Sequence, residues 1–275
     1  MLSPKKLAIY YGRPRFVNNV NTIIEAIDIF EDYDLIVFKE GIENVSHIDH
    51  QDTIDIIAGL PSTSQVYGYV DSSNALSQIE TSIDQLFTMG VQGIFCTKFG
   101  YDYIDRIKQN DIVDYIHSKG LIAFVHAPTI EDAMENNGIP TNLTSTDWYL
   151  NEKFQINNGS YQNPTTWKTN SDIVATYSNN IQIACITTYD SSAFDQNKLD
   201  YAYMSCVLYK FHAFGWGEEL YSSNSNSLPF RTRPSIQSNS FINNITEPVI
   251  GIYQRNTNIG ISINTTNHTI NLITL

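Results

Sequence analysis

Eight short apolar runs recur along the first 217 residues, each separated from the next by a longer segment, most of them of helical period. The runs are 7–11, 35–38, 65–70, 93–95, 121–126, 148–150, 181–186 and 213–216. Near-continuous apolarity over four to six residues suits a parallel strand buried on both faces. Between them lie segments 20–31, 51–59, 75–89, 105–119, 129–136, 164–178 and 196–210, which predict helices. Strand–helix alternation means a parallel sheet, and eight repeats favour closure into a (β/α)8 TIM barrel over an open sheet. No GxGxxG or GxxxxGK[ST] loop follows any run, which argues against a nucleotide-binding open sheet.

The helix signals are local and physical. Segment 105–119 carries Ile107, Ile112, Val113 and Ile116 towards one side and ends in Ser118-Lys119-Gly120, a cation in the last turn and then a glycine. Segment 75–89 stops at Gly90, and Asp195 stands where segment 196–210 needs an N-cap.

Beyond residue 235 the helical period disappears. Residues 236–275 alternate apolar and polar positions, as in Ile259-Gly260-Ile261-Ser262-Ile263-Asn264, with Asn-rich turns between. The chain therefore divides into a barrel, 1–235, and a β-rich tail, 236–275, of two or three strands. Strands this short need a partner, in the barrel wall, in another subunit or in another protein, so the tail is expected to dock or assemble.

Composition limits the functions. The net charge of −13 repels phosphate backbones and argues against nucleic-acid binding. No run approaches the roughly 20 apolar residues of a membrane helix, and Leu7–Tyr11 after Lys5-Lys6 is too short for a signal peptide, so cytoplasmic synthesis is expected. Cys96, Cys185 and Cys206 form no CxxC pair and read as buried thiols. His47-Ile48-Asp49-His50 invites a metal reading, but its place before a helix makes capping by Asp49 or Asp52 the simpler one. No cofactor is expected.

In such a barrel the active site forms at the carboxyl ends of the strands. The residues there are Tyr11 and Arg13, Lys39 and Glu40, Asp71, Thr97, Lys98, Tyr101 and Asp102, His126, Glu152, Tyr189 and Asp190, and Trp216, Glu218 and Glu219. Tyr11, Asp71, Tyr101, Asp102, His126, Tyr189, Trp216 and Glu218 make a polar and aromatic rim suited to stacking and hydrogen-bonding a sugar.

Several stretches resemble a known family. They are Gly90-Val91-Gln92-Gly93-Ile94-Phe95-Cys96-Thr97-Lys98-Phe99-Gly100-Tyr101-Asp102-Tyr103, Val66-Tyr67-Gly68-Tyr69-Val70-Asp71, Asp147-Trp148-Tyr149-Leu150-Asn151-Glu152 and Phe214-Gly215-Trp216-Gly217-Glu218. They are similar, in order and spacing, to spherulin-like barrels related to the endo-α-1,4-polygalactosaminidases of glycoside hydrolase family 114. The resemblance covers about residues 7–234, and chains of this type occur in bacterial and tailed-phage genomes. It implies a catalytic Asp at position 97, a Glu at 98 and a second carboxylate at 152. Here Thr97 and Lys98 stand at the first two, and Glu152 is retained.

Glycoside hydrolysis uses two carboxyl groups flanking the scissile bond. With Thr97 and Lys98 in place, the family mechanism is expected to be lost, and a Lys98–Glu152 ion pair is the expected structural outcome. Three functions follow as expectations. The first is a non-catalytic barrel, structural or carbohydrate-binding, as part of a phage or phage-like particle. The second is a hydrolase of an amino-sugar polysaccharide that uses Glu152 with a relocated carboxylate, Asp71 or Asp102. The third is a lectin-like module. The expected partners are a polysaccharide or a protein bound through the tail strands, or further copies of the chain.

Overall fold

The computed structural model describes residues 3–135, 137–188, 194–217, 225–235, 240–256 and 259–274. Eight parallel strands close into a barrel: β1 (Lys5–Tyr10), β2 (Leu35–Phe38), β3 (Gln65–Asp71), β4 (Gly93–Thr97), β5 (Ile122–Val125), β6 (Trp148–Asn151), β9 (Gln182–Thr188) and β10 (Ala213–Gly217). A small antiparallel pair, β7 (Ile156–Asn157) and β8 (Ser160–Tyr161), follows β6. Seven helices alternate with the barrel strands: α1 (Ile23–Phe30), α2 (His50–Gly59), α3 (Leu76–Met89), α4 (Arg106–Ser118), α5 (Ile130–Met134), α6 (Pro164–Thr176) and α7 (Gln196–Tyr209). The fold is a (β/α)8 TIM barrel.

The strand period of two divides the core. Leu7 and Ile9 point into the barrel with Leu35, Val37, Tyr67, Phe95, Phe124 and Trp148. Ala8, Tyr10, Ile36 and Phe38 point outward to the helices. Edge-to-face rings fill the interior, with Phe124 at 5.3 Å from Tyr67 and 5.0 Å from Phe95, so the barrel is packed and not a pore.

The helix ends follow their local chemistry. Gly90 (φ 91°) and Gly120 (φ 71°) take the left-handed conformation just beyond α3 and α4, and the Asp195 carboxylate accepts from Asn197 N and Lys198 N. In α4 the buried stripe is Arg106, Gln109, Ile112, Val113 and Ile116; Ile107 lies one position off it and is 58% exposed, contrary to its expected place on the packed face.

After β10 no eighth helix is present among the described residues. The extended segment 225–235 crosses that side instead, pinned by Arg233 Nη2 to the Phe214 carbonyl (2.6 Å) and by Asn18 on both polar groups of the Leu228 backbone.

The tail forms four strands, one or two more than its alternation predicts: β11 (Thr246–Val249), β12 (Ile252–Asn256), β13 (Ile259–Asn264) and β14 (Thr269–Thr274). They pair antiparallel with one another in sequence order. Their inner face, Tyr253, Ile261 and Ile263, is buried, with β13 and β14 over α7 and Tyr253 beside Trp167 of α6. This explains why α7 is apolar all round: from Tyr201 to Tyr209 every residue is buried, because the barrel covers one side and the tail sheet another. No helix among the described residues is long and apolar enough to cross a membrane.

Candidate functional site

The carboxyl ends of β3 to β6 surround a cleft of about 380 Å³ whose lining includes Tyr69, Thr97, Lys98, Tyr103, His126 and Glu152. Each wall is built from a pair of neighbouring strands. On one wall, β3 and β4 run in register with Asp71 opposite Thr97. Lys98, the residue after β4, takes a left-handed backbone (φ 51°), and its Nζ meets Asp71 Oδ2 at 2.6 Å. Ser73 donates its N–H and hydroxyl to the other oxygen, Oδ1. Burial pushes the Asp71 carboxyl up, but Lys98 and Ser73 outweigh it and hold the group below its ordinary value. The Lys98 ammonium is pushed up by the same pair.

The expected Lys98–Glu152 pair is therefore corrected to Lys98–Asp71. The reason is topological: Asp71 ends the adjacent strand, whereas β5 separates β4 from β6, which Glu152 follows. Thr97 donates its hydroxyl to Tyr69 Oη (2.8 Å) and accepts Ser72 N at its carbonyl.

On the other wall, β5 pairs with β6. His126 Nε2 lies 3.7 Å from Glu152 Oε2, and Lys153 Nζ lies 3.9 Å from the same oxygen. Burial pushes the His126 pKa below its ordinary value; Glu152 opposes this and Lys153 adds to it. Lys153, like Lys98, is left-handed (φ 59°). Two non-glycine residues in this region at one cleft are the kind of backbone strain that gathers at functional sites. Tyr11 packs edge-to-face on Tyr69 (6.0 Å), and burial pushes its phenol far up, with Tyr69, Glu152 and Glu40 acting in the same direction. The Glu40 carboxyl is raised by burial and by Asp71 and Glu43.

Other expected rim residues are elsewhere. Trp216 packs on Phe194 (6.0 Å) and lines a small cavity of about 30 Å³ beside β1 and β10, not the cleft. The Tyr101 hydroxyl accepts from Arg106 Nη2 (2.9 Å), and its ring belongs to a separate notch at the start of α4. Asp102 is exposed in the turn between Tyr101 and Tyr103 and is not in the cleft lining. Tyr189, Asp190, Glu218 and Glu219 lie outside the described residues.

Asp49 stands at the N-cap of α2 without making a side-chain cap. Its buried carboxylate accepts from Arg13 Nε (2.8 Å) and Lys39 Nζ (2.9 Å), two cations that outcompete backbone N–H groups. His50 Nδ1 lies 2.7 Å from the Ile42 carbonyl, and His47 Nδ1 accepts from Asp49 N, so the motif does not converge on an ion. Among the described residues no group of three or more His, Cys, Asp or Glu side chains could hold a metal. All three cysteines are buried.

Tyr69, Tyr103, Asn151 and Lys153 line the cleft without having been singled out in the sequence. Tyr69 was within reach: in 65–71 the alternation that sends Tyr67 inward sends Tyr69 and Asp71 the same way. Tyr103 and Lys153 come from turns, which carry no such period.

No family model matches the chain, and no curated protein matches it. Solved structures with a similar course include pyruvate carboxylase from Rhizobium etli (8% identity, 78% of this chain and 23% of that one, TM-score 0.48). Ribulose-1,5-bisphosphate carboxylase/oxygenase from Pyrococcus horikoshii OT3 (10%, 78% and 53%, TM-score 0.45) and a dihydrodipicolinate synthase (11%, 78% and 70%, TM-score 0.48) are others. The chain spans less than two thirds of the length of the first two. Likeness at such identity concerns the fold alone.

Proposed function

We propose that this chain is a glycoside-hydrolase-like barrel that binds carbohydrate in the cleft without cleaving it, and serves as a binding or structural module. The observation that carries this reading is the Lys98–Asp71 pair at 2.6 Å. It puts a cation at the end of the fourth strand and engages the nearest carboxylate, Asp71, which removes one of the two candidates for a relocated acid. The other, Asp102, has no place in the cleft lining. Among the described residues of the cleft lining Glu152 is then the one carboxylate, where glycoside hydrolysis uses two. Tyr69 and Tyr103 with Thr97, Asn151 and His126 provide ring faces and hydrogen-bonding groups for a sugar. The docked tail sheet, with β11 and β14 as its outer strands among the described residues, suits a component of a larger assembly such as a phage-like particle.

The test is a pair of assays on one preparation: reducing-end release from amino-sugar polysaccharides, and calorimetric binding of oligosaccharides from the same polymers. The reading expects binding that is lost in a Tyr103→Ala, Thr97→Trp double variant, and no release. Release that disappears in Glu152→Gln would overturn it.

One observation favours a second reading, an active hydrolase with a relocated acid. Glu40 and Glu152 both act on the Tyr11 phenol, and Glu40 has the raised pKa that a general acid needs. Activity lost in both Glu40→Gln and Glu152→Gln would establish that pair.

A further inference from the structure

The notch at the start of α4 is separate from the cleft. It has a volume of about 330 Å³ and is lined by Tyr101, Asp105, Arg106, Ile107, Asn137 and Ile139. Its frame is fixed by Arg106, which is 5% exposed. Arg106 Nη1 donates to the Ala133 carbonyl (2.6 Å), and Nη2 donates to Tyr101 Oη (2.9 Å) and to the carbonyls of Asp132 (3.2 Å) and Glu135 (3.0 Å). One guanidinium thus ties the β4–α4 turn to the end of α5, and it also sits 5.4 Å from the centre of the Tyr101 ring. The apolar walls are left open to solvent: Ile107 is 58% exposed, Ile139 41% and Tyr101 37%.

The rim is acidic. Asp105 is exposed in the notch lining, and Asp102, next to Tyr101, and Glu135, whose carbonyl accepts from Arg106, are exposed beside it. Both terminal nitrogens of Arg106 are engaged by acceptors, and Lys108, one turn into α4, donates its ammonium to the Asn74 carbonyl. An apolar recess with Asp105 in its lining and Asp102 and Glu135 beside it, whose cation among the described lining residues is the engaged Arg106, is complementary to an aliphatic side chain flanked by positive charge.

We propose that this notch is a docking site for a basic polypeptide segment that inserts one aliphatic side chain between Tyr101, Ile107 and Ile139. The proposal is independent of what the cleft binds. The segment's lysines or arginines face Asp102, Asp105 and Glu135, so association weakens as ionic strength rises.

The test follows the methyl resonances of Ile107 and Ile139 in the full chain, labelled at isoleucine, during titration with the peptide acetyl-Gly-Lys-Leu-Lys-Gly-amide. The expected result is saturable shifts at both methyls. Binding falls by about fivefold or more when the two lysines are replaced by glutamate, and it is lost when the leucine is replaced by serine. Two variants on exposed positions, Ile139→Asp and Glu135→Lys, each reduce the affinity while the remaining isoleucine methyls stay at their native positions. Three results would overturn the proposal: no shift at either methyl, equal affinity for the glutamate peptide, or shifts produced by a neutral oligosaccharide and not by the peptide.

Discussion

At the amino end of the barrel His117 Nε2 lies 3.0 Å and 3.1 Å from the two oxygens of Asp147; at the carboxyl end His126 Nε2 lies 3.7 Å from Glu152 Oε2. The chemistry of the two pairs is the same, but their settings are opposite. Asp147 is fully buried and also accepts from Ala123 N, Thr144 N and Thr144 Oγ1. It joins the end of α4, the start of β5 and the entry to β6. Glu152 is 27% exposed, with His126 Nε2 at 3.7 Å and Lys153 Nζ at 3.9 Å from its Oε2. One pair is a structural clip with its lone pairs filled. The other is slack: it is longer and lies partly exposed in a cleft. In a barrel this is the division of labour expected between the two faces: fully bonded, buried groups for stability below, accessible groups for function above.

Removing the two carboxylates should separate these roles most sharply. Asp147→Ala leaves the buried Ala123 N–H, the Thr144 N–H and hydroxyl and the His117 imidazole without their acceptor, and is expected to cost roughly 3–5 kcal/mol. Glu152→Gln should change stability by less than about 0.5 kcal/mol. Urea unfolding of both variants measures the difference; equal losses would remove the distinction between clip and cleft.

The histidines should differ in the same sense by less. His117→Ala removes one partner of a buried carboxylate that keeps three others, and is expected to cost about 1.5–3 kcal/mol, the range for a hydrogen bond to a charged group. His126→Ala should cost less at neutral pH and nothing in mild acid. The sign follows from its depressed pKa. The unfolded chain binds a proton at this histidine below about pH 6.5, before the folded chain does. Stability through His126 is thus complete above about pH 6.5 and falls as pH drops towards the lower folded value. The variant should flatten that limb of the stability curve.

A smaller acid limb belongs to the facing wall. Asp71 is held below its ordinary value, so its contribution is present above about pH 4 and is lost as pH falls through the folded value. Comparison of Asp71→Asn with the parent chain between pH 5 and pH 2, on the order of the ordinary carboxylate range, should show a shallower decline in the variant.

Much of this was legible in the residues. All eight strands were placed to within two residues at either end, because strands buried on both faces announce themselves by unbroken apolarity. The helix stops at Gly90 and Gly120 and the Asp195 cap were equally local. The partner of Lys98 was not legible. It depends on which strand lies next to β4 and on a left-handed backbone at position 98, and neither is written in the residue types. Ile107 failed for a related reason: a helical period fixes a stripe only to within one position. The displacement of Tyr101 from the sugar rim followed from Arg106, whose four acceptors are spread over residues 101–135.

The finest test of the comparison lies within the slack pair itself. Three influences act on His126: burial and Lys153 lower its pKa, and Glu152 raises it. If the 3.7 Å approach is a real electrostatic coupling, Glu152→Gln must move the His126 pKa further down, whereas Lys153→Ala must move it up. A two-dimensional NMR titration of the histidine ring protons reads both shifts against the parent chain. A saccharide that bonds to Glu152 and excludes water should change the same titration, and a ligand bound only at the α4 notch should leave it where it is. An unchanged His126 in the Glu152→Gln variant would mean that the pair is adjacent without being coupled, and the contrast with the amino-end clip would then rest on Asp147 alone.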